Sequence, residues 1–194
     1  KALDMMIEFA AAVPEWCHSS NPFEISERLV ESDDYWYAAP LYGYTNYSRK
    51  GFRPTILAYD DVPSFDGRAR GSQLGGAGIA VSAFSKNRQV AAEIAGYLAS
   101  AEAQNGPYTE QYGQPGNLRA WLSPRMNDLT HNFFRNTLRS IEGAWVRPRL
   151  VGWPDFQFDV SMVIHNSLAK KRFDNEDWAS LEKHSETLRE RSAR

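Results

Sequence analysis

Four histidines, two pairs of adjacent aspartates and one glycine-dense turn are the side chains and backbone of this sequence best suited to chemistry. His18, His131, His165 and His184 could act as bases or metal ligands, but they lie far apart along the chain. Neither H-E-x-x-H nor G-x-S-x-G occurs, so no hydrolase or zincin signature organises them. They read as surface histidines or as histidines satisfied by hydrogen bonds. Asp33 with Asp34, and Asp60 with Asp61, offer the paired carboxylates that glycoside hydrolysis uses as acid and base. Residues adjacent in sequence point apart, however, and turn or helix-capping roles suit these pairs better. The stretch from Gly71 to Asn87, GSQLGGAGIAVSAFSKN, half-matches the G-x-G-x-x-G phosphate loop through Gly76 and Gly78. The match fails at Val81, the glycines precede a strand-like run instead of following one, and no Lys-Ser or Lys-Thr pair stands where a P-loop needs it. Glycines there serve either turn geometry and tight strand packing or the close approach of a ligand to the main chain, since positive φ and contact with backbone cost a glycine nothing sterically.

Aromatic residues carry a stronger chemical signal. Trp36, Tyr37, Tyr42, Tyr44 and Tyr47 crowd one segment, and Trp153, Phe156 and Phe158 crowd another. A sugar ring packs its C–H face on an aromatic face and presents hydroxyls that want Asn, Gln, Arg, Asp and backbone partners. Both kinds of group occur together here. Trp36 and Phe158 are expected in the core, whereas Tyr42, Tyr44 and Trp153, on loops, remain open between core packing and ligand contact.

The elements that must position these residues follow from periodicity and breakers. Helices are expected over Leu3–Val13, stopped by Pro14, and over Phe23–Val30. Strands are expected at Tyr35–Ala39, Thr55–Tyr59 and Ile79–Val81, rich in aromatic, β-branched or small residues. Arg88–Ala103 has apolar residues at Val90, Ala91, Ile94, Ala95 and Leu98, a helical spacing, and Ser85 is placed to cap that helix. Tyr108–Pro124 reads as loop around GQPG, with helices following over Asn132–Ile141, Asp155–Ala169 and Asp177–Arg191.

Bulk properties narrow the classes. With 194 residues, 42% of them apolar, the chain can bury a core of one domain or one and a half. A net charge of -2, with basic residues scattered among acids, gives no basic stripe for nucleic acid. Cys17 is the only cysteine, which excludes an intramolecular disulfide and a cysteine-based zinc site. No run of apolar residues is long enough to span a bilayer, and no secretory leader pattern stands at Lys1. The amphipathic pattern begins at once with Leu3, Met6, Ile7 and Ala10, as expected for a piece of a longer protein.

In order, these segments resemble the C-terminal half of solute-binding proteins of bacterial ABC importers, in the sugar-binding, maltose-binding-protein-like cluster. The resemblance covers most of the chain. It rests on Ala39-Pro40-Leu41-Tyr42-Gly43-Tyr44, on the Gly-Gly strand followed by SAFSKNRQVAAEIAGYLASAEAQ, and on the GQP turn, the Asn-Phe-Phe helix and RPRLVGWPDFQ before a long helix. It implies an α/β, periplasmic-binding-protein-like (type II) fragment with most of one lobe absent. Residues 1–70 and 147–194 would belong to the second lobe, and 71–146 would cross into the first.

It also implies a substrate-binding component for carbohydrate uptake, periplasmic or membrane-anchored outside the cell, holding a sugar or polyol in an inter-lobe cleft and delivering it to the permease transmembrane subunits. The expected contacts are Tyr42, Tyr44, Gly75, Gly76, Arg149, Trp153 and Gln157, with no catalytic residue, metal or cofactor. The family's loop aromatic maps to Leu41 or Tyr42, of which Tyr42 is preferred. Arg149 is either a bidentate hydroxyl donor or a salt-bridge partner. A glycoside-active enzyme domain and a non-catalytic interaction module are the rival readings. Apolar surface meant for a missing lobe would favour self-association around the crossing strand.

Overall fold

The computed structural model describes residues 2–38 and 40–193, and it divides them into two units. One unit contains residues 2–21 and 147–193, the other Pro22–Val146.

In the first unit, α1 (Ala2–Ala12) ends before Pro14 and a 3-10 turn follows at Glu15–Ser19. α1 packs on α9 (Trp153–Ala169), which pairs along its length with α10 (Asn175–Ser192). α10 starts at a capping box: the Asp174 carboxylate accepts from the Asp177 N–H, and the Asp177 carboxylate accepts from the Asp174 N–H. Two otherwise orphaned donors are satisfied there, and the acidic side chains sit at the positive end of the helix. These hydrogen bonds hold the Asp177 carboxyl below its ordinary range. Arg191 closes the other end of the pair with a 2.7 Å ion pair to Asp155.

The second unit begins with α2 (Pro22–Glu31) and a 3-10 turn at Thr45–Ser48, and continues through α3 (Arg88–Ala99), α4 (Ala101–Gln104), α5 (Pro107–Glu110), α6 (Leu118–Leu122), α7 (Pro124–Leu129) and α8 (Phe133–Glu142). Its core is the cluster of Ala120, Trp121, Met126, Phe133 and Phe134, with Tyr59 and Leu138 packed against it. The rings of Phe133 and Phe134 meet edge to face at 5.5 Å, and Trp121 lies 5.2 Å from Phe134.

Asn127, itself buried, locks the corner above this cluster. Its amide nitrogen donates to the carbonyls of Trp121 (2.8 Å) and Ser123 (3.0 Å), while its oxygen accepts from the Arg135 N–H at 2.8 Å. The Trp121 carbonyl at the end of α6 and the Arg135 N–H at the start of α8, which have no intrahelical partner, therefore share one side chain, while the Ser123 carbonyl also accepts from the Asn127 N–H.

The expected α/β architecture is overturned. Among the described residues the structure is helical, with no strand or sheet. Isolated bridges join Lys50 to Arg53 and Gln73 to Trp145. Of the three expected strands, Tyr35–Ala39 falls partly outside the described residues at Ala39. Its described part, like Thr55–Tyr59 and Ile79–Val81, lies outside helix and strand. Composition biases a segment toward extended backbone, but a strand also needs a neighbour with which to exchange N–H···O bonds.

Two further expectations are corrected. The helix expected over Arg88–Ala103 breaks at Ser100, which caps α4 by accepting from the Ala103 N–H. The expected loop over Tyr108–Pro124 contains most of α5 and all of α6, short helices whose spacing is too brief to register as a period. Among the described residues no helix is long and apolar enough to cross a membrane.

Phe134→Ala should destabilise the Pro22–Val146 unit by about 3–5 kcal/mol, the usual result of truncating a fully buried aromatic. Asn127→Ala should cost about 1–3 kcal/mol by stranding the Trp121 carbonyl and the Arg135 N–H. Denaturant unfolding monitored by tryptophan fluorescence checks both, and two variants with unchanged midpoints would contradict the core described here.

Candidate functional site

The residues expected to contact a ligand fall into two groups. Tyr42, Tyr44, Gly75 and Gly76 lie in the Pro22–Val146 unit, while Arg149, Trp153 and Gln157 lie in the other.

In the Pro22–Val146 unit, the loop bearing Tyr42 and Tyr44 is held from two sides. Gln114, from the GQPG turn, accepts from the Thr45 N–H at 3.0 Å and donates to the Gly43 carbonyl at 3.2 Å. Gly43 itself packs under the Phe133 ring, where an added Cβ would lie 3.0 Å from ring carbons. The hydrophobic core thus fixes the height of the loop, and Gln114 fixes its course. The GQPG turn is tied in by Gln104, whose side-chain oxygen accepts from the N–H groups of Gly116 (2.9 Å) and Asn117 (2.8 Å).

This anchoring gives the two tyrosines different surroundings. Tyr44 stacks on Phe23 at 4.1 Å with ring planes 24° apart, so one of its faces is already covered. Tyr42 is 45% exposed, and the edge of its ring lies against Gly75. A Cβ at Gly75 would stand 3.0 Å from Tyr42 Cε1 and 3.2 Å from Cδ1. Of the alternatives left open for this glycine turn, close approach to the main chain is what Gly75 provides, and the approaching group is Tyr42. Gly75, Gly76 and Gly78 do not adopt positive φ, whereas Gly71 does, at 95°. A Cβ at Gly76 would meet nothing within 4 Å. The expected core position of Trp36 is also corrected: it is 88% exposed, with Tyr37 beside it at 76%. The Trp36 indole N–H donates to the Asp33 carbonyl at 2.6 Å, which fixes one edge of the ring.

In the other unit, Trp153 and Gln157 stand one turn apart at the start of α9, and the indole N–H donates to Gln157 Oε1 at 3.3 Å. Phe156 packs at 5.2 Å from Trp153. Arg149 is exposed and forms no ion pair among the described residues. Phe158, expected in the core, is exposed instead, because it projects from a helix face that α1 and α10 leave uncovered. Ser85 does not cap α3 directly. Its hydroxyl accepts from the N–H of Asn87, the residue that precedes the helix.

The ionisable groups near the tyrosine loop are occupied in structure. Glu27, on α2, accepts from the Tyr47 hydroxyl at 2.6 Å and pairs with Arg53 at 2.7 Å. The hydrogen bond from Arg53, reinforced by Tyr47, holds the Glu27 carboxyl below its ordinary range. Burial, aided by the Glu27 hydrogen bond, pushes the Tyr47 hydroxyl up to about 12. Tyr47 stands out in the sequence only as one of a run of aromatics, because an acidic and a basic residue 26 positions apart carry no local signal of the triad.

One aspartate of each pair is engaged by a serine. Asp61 accepts from both the N–H (2.8 Å) and the hydroxyl (2.7 Å) of Ser140, and Asp34 accepts from Ser32. His131 Nδ1 lies 2.6 Å from the Ser48 carbonyl, and His184 lies 3.4 Å from Asp159. Among the described residues no three His, Cys, Asp or Glu side chains are grouped to hold a metal ion. No family model, curated protein or solved structure matches the chain.

Two measurements follow from this geometry. Gly75→Ala should displace the Tyr42 ring, read as a shift of its aromatic proton resonances; unchanged resonances would refute the contact. Because the Glu27 carboxyl is depressed in the folded state, its stabilisation is present above the unfolded carboxylate value and is lost as pH falls through the folded one. The wild-type melting temperature should therefore fall more steeply on acidification below about pH 4.3 than that of Glu27→Gln. Parallel acid profiles would contradict the triad.

Proposed function

We propose that this chain is a non-catalytic carbohydrate-binding polypeptide, the sugar- or polyol-binding component of an ABC importer acting outside the cytoplasmic membrane. The observation that carries the reading is the partly exposed Tyr42 ring set against Gly75, with Gly76 next along the chain. A pyranose or polyol needs an aromatic face for its C–H surface and nearby donors and acceptors for its hydroxyls. Tyr42 offers the first, and the backbone N–H and C=O groups of Gly75 and Gly76, which have no hydrogen-bond partner among the described residues, offer the second.

Trp36 and Tyr37, exposed in the segment that leads to Tyr42, add aromatic surface of the same kind. The Ala-Pro-Leu-Tyr-Gly-Tyr and Ser-Lys-Asn strings support the importer assignment through their resemblance to solute-binding proteins. The permease transmembrane subunits are the corresponding partner. A glycoside-active enzyme is less well supported, because Asp61 and Asp34 are engaged by neighbouring serines.

Calorimetric titration against a panel of mono- and oligosaccharides and polyols tests the reading. At least one member should bind, Tyr42→Ala should weaken that binding by about tenfold or more, and the ligand should be recovered intact. Uniformly flat responses would defeat the carbohydrate assignment. Turnover of a glycoside would defeat the non-catalytic one.

A further inference from the structure

We propose that Glu27 is a positioning residue for the candidate ligand site: through Tyr47 it clasps α2 to the loop that carries Tyr42 and Tyr44, and protonation of its carboxylate loosens the clasp. The effect on a ligand rests on the sugar-binding reading, whereas the clasp itself does not.

Two contacts one helical turn apart join α2 to the loop. Phe23 and Glu27 stand four positions apart on α2 and so share one helix face. Phe23 stacks on Tyr44 at 4.1 Å, and Glu27 Oε1 accepts from the Tyr47 hydroxyl at 2.6 Å. The 3-10 turn at Thr45–Ser48 links the two tyrosines, with the Tyr47 N–H donating to the Tyr44 carbonyl at 3.1 Å. Gln114 holds the loop backbone on either side of Tyr44, at Gly43 and Thr45. The Phe23 stack and the Glu27 hydrogen bond hold the rings.

Both ends of the Glu27–Tyr47 bond are fixed. Tyr47 is 4% exposed, and its ring meets Phe52 edge to face at 5.4 Å. Arg53 grips the carboxylate at two points, Nη2 donating to Oε1 at 2.7 Å and Nε to Oε2 at 2.8 Å. A bidentate grip of this kind fixes the plane of the carboxylate as well as its place, and Oε1 stays directed at Tyr47.

Charge sets the strength of the clasp. The ionised carboxylate accepts charge-assisted hydrogen bonds from Arg53 and Tyr47, about twice as strong as neutral ones. Protonation removes the ion pair and leaves Tyr47 a neutral partner. Neither bonded group changes charge in acid, since Arg53 stays cationic and the Tyr47 hydroxyl is pushed up to about 12. Tyr59 and Glu31 act at one remove, on Tyr47 and on Arg53. Arg53 and Tyr47 hold the Glu27 carboxyl below its ordinary range. The clasp is therefore closed at neutral pH and loosens as pH falls through that lowered value, below about 4.3.

The aromatic proton resonances of Tyr44 in the ligand-free chain, followed from neutral pH into acid, test the clasp. In the wild type they should move below about pH 4.3 toward the values of Glu27→Gln, whose own Tyr44 resonances should stay flat. Tyr47→Phe, which keeps the ring and loses the hydroxyl, should displace Tyr44 at neutral pH as Glu27→Gln does, and the double variant should add little to either. Maltose and sorbitol, as a pyranoside and a polyol, extend the test to binding: whichever binds should do so about two- to tenfold more weakly in Glu27→Gln at neutral pH, with the difference closing on acidification. Tyr44 resonances that neither variant moves, parallel acid titrations of wild type and Glu27→Gln, or equal sugar affinities would overturn the proposal. A wild type that binds no member of the wider sugar and polyol panel would defeat the sugar-binding reading instead, and the resonances would still decide the clasp. Tyr47→Phe and the wild-type titration decide it even if Glu27→Gln misfolds.

Discussion

The Pro22–Val146 unit depends on the corner that Asn127 closes over Trp121, Phe133 and Phe134. Three helices meet there at angles that leave the Trp121 carbonyl and the Arg135 N–H without intrahelical partners, and α6 and α7, of five and six residues, are not stable alone. One buried amide satisfies those groups, and the aromatic cluster beneath removes apolar surface from water. Polar closure and apolar burial reinforce each other because the same residues supply both: Trp121 gives its ring to the core and its carbonyl to Asn127. Phe133, held in this way, becomes the surface on which Gly43 rests, and through Gly43 the core sets the position of Tyr42 and Tyr44.

A second constraint explains the shape of the chain outside its helices. Every backbone N–H and carbonyl needs a partner or water. Helices meet the need within themselves, so α1, α2, α8, α9 and α10 form wherever periodicity and capping permit. Segments with strand composition must find partners elsewhere. Thr55–Tyr59 and its continuation are held piecemeal: the Leu57 N–H donates to the Tyr47 carbonyl at 2.9 Å, and the Val62 N–H donates to the Ser140 hydroxyl at 2.8 Å. Gly75–Val81 finds none among the described residues. Polar side chains take over much of the joining that a sheet would do, and Gln104, Gln114, Asn127 and Asp61 are its main agents.

Much of the helical framework was legible in the sequence. Pro14 marks the end of α1, the apolar spacing after Asn87 marks α3, and the Asn-Phe-Phe run marks the start of α8. The short helices α5 to α7 were not legible, since one turn of helix gives no period to read. Within the candidate site, the tendency of Tyr42 to be a loop aromatic and of Gly75 to admit a close neighbour could both be seen. That each serves the other could not. The loss of Trp36 and Phe158 from the core was equally hidden, because a large apolar side chain is ordinarily buried and only the surrounding structure can leave it exposed.

The sequence by itself determined local matters: where helices begin and end, which segments prefer extended backbone, and that residues 71 to 85 carry no charge. Each depends on neighbours a few positions away. Tertiary structure alone decided that the extended segments form no sheet, that Gln114 holds the backbone at Gly43, 71 positions distant, and that Glu27 joins Tyr47 to Arg53. Hydrogen bonds and ring contacts across such separations depend on how the chain closes its loops. A residue's type fixes what it can bind, but folding fixes what comes within its reach.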